Sequence, residues 1–207
     1  MRPTCRLATT FVLALVVAAP AAGCRRRGDT PDPGIPYTSG APSPKLATFI
    51  FKEEGKLYLM TVGVNATRFH DKDAFIPLSV VLVNKTKTPL PLDRESFTLV
   101  EPISGKRYGL ASIDEVRRQG KQEYDRKLMD LEHILSKLDP YTRGDSNFFP
   151  LTGLVIEKVE LHQFMYILET LYFPRPEGEL LGKTFELHIN SKGLEQPLFV
   201  VFTVPER

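Results

Sequence analysis

The chain has 207 residues, 42% of them hydrophobic and 25% charged, which allows one domain with an appendage and supplies enough apolar material for a sizeable core. The net charge of +2 misleads. Without Arg2, Arg6 and Arg25 to Arg27 the 27 basic side chains fall to 22, and without Asp29 and Asp32 the 25 acidic ones fall to 23. A body so near neutrality from Lys45 onward gives no reason to propose nucleic acid as a partner.

Residues 1–23 read as a targeting segment. Arg2 and Arg6 precede the apolar run LATTFVLALVVAA, which is shorter than the roughly 20 residues that span a bilayer. Small residues follow, as an export signal requires. They end at Ala21, Ala22, Gly23 and Cys24.

That quartet resembles the lipobox of bacterial lipoproteins. The resemblance implies cleavage between Gly23 and Cys24, acylation of the Cys24 thiol, and anchoring in membrane lipid. Two or three acyl chains hold a protein stably where one would not. The family usually has a larger aliphatic where this chain has Ala21, so ordinary cleavage after Ala21, releasing a soluble protein, is the alternative. The resemblance places the protein in the bacterial cell envelope. Arg25, where some bacteria use an aspartate for inner-membrane retention, favours the outer membrane. Cys5 leaves with the signal, so Cys24 has no partner for an internal disulfide.

Residues 24–44 then form a tether. Its five prolines and scarcity of large apolar side chains cannot build a core. Extended, it reaches up to roughly 60 Å, with Arg25 to Arg27 at the lipid headgroups. Arg27-Gly28-Asp29 matches an integrin-binding tripeptide, a length that recurs by chance.

From Lys45 to Arg207 short β-like runs alternate with turn residues, which predicts a mainly β domain, a sandwich or barrel. The expected strands are Leu46 to Phe51, Leu57 to Val64, Ile76 to Asn84, a hairpin around Ser104-Gly105-Lys106, Thr184 to Ile189 and Leu198 to Val204. Both parities are apolar in Val80 to Val83 and in Leu198 to Val204, so something must cover at least one sheet on its second face. The candidate is an amphipathic helix over 112–138, opened by a capping box at Ser112 and Glu115. Ile113, Val116, Gly120, Tyr124, Leu128, Leu131, Leu135 and Leu138 recur at helical spacing, and Gly120 is where it would break or bend. Such a helix packs on its own domain or, through Tyr124, Leu128 and Leu131, offers a docking element to an envelope protein. Residues 161–171 fit a helix or two strands around a turn near Gln163; β-branched and aromatic content favours strands.

The stretch FIPLSVVLVNKTKTPLPLDRESFTLVEPISGKRY, with LYFPRP and the terminal VVFTV, is similar to the immunoglobulin-like, telokin-like sandwiches of exported bacterial lipoproteins of unknown function. The resemblance implies an antiparallel β-sandwich with one inserted helix, and it brings no catalytic residue. His70, His133, His162 and His188 lack metal-ligand spacing, and surface positions are expected for them. His162 and His188 could pair only from neighbouring strands. His70-Asp71-Lys72-Asp73 reads as a polar turn, not a calcium loop. No nucleophile, phosphate-loop or dinucleotide motif is present. The sequence therefore predicts no metal, no cofactor and no catalysis, but a binding or structural module. An envelope enzyme with a site assembled from distant loops is the alternative class.

Overall fold

The computed structural model describes residues 42–129 and 134–206. Short apolar runs between turn residues make the regular structure mainly β, with twelve strands and two short α-helices among the described residues. The strands are β1 (Lys45–Ala47), β2 (Ile50–Glu54), β3 (Tyr58–Gly63), β4 (Phe75–Asn84), β5 (Leu90–Asp93), β6 (Phe97–Val100), β7 (Arg107–Gly109), β8 (Thr142–Arg143), β9 (Lys158–Leu161), β10 (Met165–Pro174), β11 (Thr184–Ile189) and β12 (Leu198–Thr203). One sheet runs β1-β2-β3-β4-β10-β8, a second β12-β11-β6-β7, and β5 pairs with β9 alone. Every pairing is antiparallel except that of β8 with β10.

Period-two patterning decides the layers. On β4 the even positions Ile76, Leu78, Val80 and Leu82 join Phe51, Val62 and Leu171 in the main core. Across from them lie Phe97, Leu99, Phe185, Leu187, Val200 and Phe202 of the second sheet, in the same cluster. Phe202 touches Phe51 on one side and Phe185 on the other, with ring centroids 6.4 and 6.0 Å apart. Two antiparallel sheets thus share one core, an arrangement consistent with a β-sandwich. Leu90, Leu92 and Leu161 of the β5–β9 pair fill its flank.

The odd positions of β4 face outward and are buried all the same. Val81 and Val83 form a second cluster with Ile50, Leu59, Tyr166 and Leu168, covered by Ile134 and Leu138. The cover expected from the apolar run is therefore real and comes from the expected stretch.

Its form differs from the expectation. Instead of one helix over 112–138, α1 (Ile113–Gln119) ends at Gly120, whose φ of 70° is left-handed, and α2 (Gln122–Lys127) starts afresh. Once the chain turns there, the stripe no longer lies along one axis: Val116 and Leu138 are buried, while Tyr124 and Leu135 are exposed. Ser112 makes no side-chain cap. The capping box of this protein is Asp93 with Ser96, opening a 3₁₀ turn at Arg94–Ser96. Leu46 to Phe51 is likewise not one strand but parts of two, because Ala47 pairs with Ile50 across a tight turn. Residues 161–171 adopt the strand alternative, with β9 and β10 on either side of Gln163.

Candidate functional site

Polar side chains that a fold buries must find partners, so buried clusters are the first places to look for chemistry. One is built around His70, just after a 3₁₀ turn at Thr67–Phe69. His70 is buried, with Nε2 2.7 Å from Asp125 Oδ1 and Nδ1 2.9 Å from Asp73 Oδ2. Asp125 on α2 is fully buried, and its Oδ2 accepts a 2.9 Å hydrogen bond from the Tyr172 hydroxyl on β10. Lys121 pairs with Asp73 at the outer edge. Burial pushes the Tyr172 phenol well above its ordinary value, and the neighbouring Asp125 carboxylate adds to the shift. The hydroxyl therefore remains a donor. The cluster joins the loop after β3, α2 and β10, and its chemistry is that of a clamp.

Two of the histidines depart from the expected surface positions. His70 and His188 are buried, His162 is exposed, and His133 lies outside the described residues. His188 Nε2 sits 2.7 Å from Glu186 Oε2 on the same strand. Since β9 pairs only with β5, while β11 lies between β6 and β12, His162 and His188 do not pair from neighbouring strands. The expected polar turn forms, with the Asp73 N–H donating to the His70 carbonyl.

A second buried carboxyl, Glu169 on β10, accepts a hydrogen bond from Ser146. Burial raises its proton affinity, against the pull of Ser146, the Phe148 backbone and Arg143. Among the described residues no group of three His, Cys, Asp or Glu side chains is placed to hold a metal ion.

Two concavities are open to a ligand or partner. A pocket of about 100 Å³ lies where the 134–141 segment covers the outer face of the first sheet. Leu46, Leu59, Val81, Ile134, Leu138 and Tyr141 make its apolar walls, with Lys52, Glu54 and Lys137 around it. Thr61 also lines it, and its hydroxyl is buried without a hydrogen-bond partner. A cleft of about 790 Å³ runs along β5, β9 and the loop after β11. Asp93, Glu95, Glu160, Lys158 and Lys192 make it polar and of mixed charge.

The residues singled out in the sequence are scattered. Gly23, Cys24 and Leu131 lie outside the described residues. Tyr124 is exposed on α2, edge-on to Phe69 with centroids 6.4 Å apart, and Leu128 is half-buried just beyond that helix. Sequence reasoning missed the Asp125–His70–Tyr172 clamp, whose members stand 55 and 47 residues apart. It also missed Thr61, which sits inside an ordinary strand pattern.

No family model matches the chain, and no curated protein does. Among solved structures, a candidate lipoprotein (ycdA) of Bacillus subtilis is similar, at 13% identity and a TM-score of 0.39. The match covers 73% of this chain and 38% of that one, so this chain spans well under half the length of its neighbour. A likeness that loose carries neither fold nor function across.

Proposed function

We propose that this chain is a bacterial lipoprotein, cleaved between Gly23 and Cys24 and anchored through acylated Cys24. Its domain is read as a non-catalytic β-sandwich of the immunoglobulin-like, telokin-like kind, serving as a binding or structural module in the cell envelope, at the outer membrane. The observation that carries the reading is the succession of an apolar run, Ala21-Ala22-Gly23-Cys24, and a proline-rich stretch. The buried polar groups support the non-catalytic part: His70, Asp125 and Tyr172 hold three elements together, and none of them is an exposed nucleophile. Tyr124 and Leu128 are the proposed contacts to an envelope protein partner.

Mass spectrometry of the N-terminal peptide from the membrane fraction tests the anchor. A diacylglyceryl-modified Cys24 at the mature terminus is expected. An unmodified Cys24 thiol, or a terminus at Ala22, overturns it in favour of a secreted soluble protein.

A further inference from the structure

Strand polarity defines which loops share one end of the first sheet. β1 is antiparallel to β2, with Lys45 opposite Phe51, and the Lys52 N–H donates to the Pro44 carbonyl. Pro44 therefore lies beside β2 on the side of Glu54, and ahead of it Ser43 crosses to β12, its N–H donating to the Val201 carbonyl. At this same end β4 finishes and β10 begins, since Asn84 stands opposite both Tyr58 and Met165.

That end carries large apolar side chains in water. Leu57 is 58% exposed and Phe164 52%. Phe164 has a φ of 60°, a left-handed conformation that favours glycine or asparagine. Its backbone is pinned there, the N–H donating to the Asn84 carbonyl at 2.7 Å and the carbonyl accepting from the Thr142 N–H at 2.9 Å. The Tyr141 ring lies beside it, centroids 6.5 Å apart. A half-exposed aromatic held at a strained backbone position is a place to look for function. Lys56, Lys85 and Lys87 occupy the loops around it, against Asp139 and the Glu54 carboxylate that Lys85 contacts at 2.9 Å. Aromatic and leucine tips ringed by lysines match the boundary between headgroups and acyl chains of an anionic bilayer.

We propose that this end of the first sheet, bearing Leu57 and Phe164, docks on the anionic lipid surface to which the protein is tethered. The inference rests on the lipid-anchor reading. Two apolar side chains bind a membrane weakly alone, but a tether of about twenty residues makes the second contact intramolecular, and weak contacts then persist.

The chain contains no tryptophan, so single replacements report cleanly. Full-length Phe164→Trp, Leu57→Trp and Ile103→Trp proteins, extracted from membranes, would be reconstituted into phosphatidylcholine–phosphatidylglycerol vesicles containing brominated lipid. Ile103 is fully exposed between β6 and β7, at the opposite end, where Lys106 and Glu101 meet Glu177 and Lys183 beyond the end of β10. Residues buried roughly 5–10 Å into the boundary should be quenched, so Phe164→Trp and Leu57→Trp emission is expected to fall about twofold while Ile103→Trp does not change. Combining either reporter with Lys56→Glu and Lys87→Glu should weaken the quenching. Protein that floats with the vesicles while all three reporters behave alike overturns the docking and leaves the anchor standing. Protein that does not float overturns the anchor, and the docking with it. Leu57 lies in a turn, so its reporter decides the matter should Phe164→Trp fail to fold.

Discussion

Asp125 accepts hydrogen bonds from two side chains remote in sequence, and all three groups are buried. Asp125→Ala would strand a histidine and a phenol in the interior, an arrangement that costs about 3–5 kcal/mol when a buried charged partner is lost. Tyr172→Phe removes one hydrogen bond and keeps the ring packed on Phe149, so about 1 kcal/mol is expected. Chemical denaturation of the two variants checks the ranking. Glu169 makes a pH prediction. Burial raises its proton affinity in the folded state, so the folded chain holds this proton at pH values where the unfolded chain has released it. Stability from this residue is thus fully present below the unfolded carboxyl's range and is lost as pH rises from there through the raised folded value. Glu169→Gln keeps an acceptor for Ser146 and should flatten that decline in a pH series of urea melts, and an unchanged slope would refute the assignment. None of this was legible in the sequence. A histidine 55 residues from its aspartate gives no local pattern, because the pairing exists only once α2 is laid across β10.

At the scale of elements, legibility followed the range of the forces involved. The strand patterns of β3, β4, β11 and β12 are short apolar runs bounded by turn residues, and the structure has strands where those patterns lie. β10 was ambiguous because its apolar residues satisfy both periods. Pairing with β4 along all ten residues decides it for strand, a tertiary contact outweighing local preference. The expected long helix ends at Gly120, where the sequence offers a break or a bend. A left-handed residue there ends α1 and points the chain elsewhere. A Cβ at Gly120 would meet nothing within 4 Å, so only backbone strain opposes Gly120→Ala. A loss of about 1–2 kcal/mol is expected from denaturant melts, with the core unchanged. A stabilising effect would mean that α1 and α2 fuse readily into the single helix the stripe suggested.

For the whole molecule, the mainly β class was legible because it needs only the count and spacing of runs. The pairing order of the sheets was not, since β1-β2-β3-β4-β10-β8 depends on partners as far apart as Phe75 and Pro174. One feature of that order bears on how the domain carries load. Ser43 joins the first described residues to the last strand: its N–H donates to the Val201 carbonyl at 2.8 Å, and its hydroxyl accepts from the Val201 N–H at 2.9 Å. Pro44, the next residue, bonds to β2 in the other sheet. Tension arriving along the tether would therefore enter both sheets at once, gripping β12 and β2 together before any strand could be drawn away. Were the chain anchored through its N-terminal stretch as proposed, Ser43 would act as a strain relief. Ser43→Ala keeps the backbone bond and removes the hydroxyl acceptor, so under a force applied at the N-terminus it should yield at lower load, with little change in stability when nothing pulls.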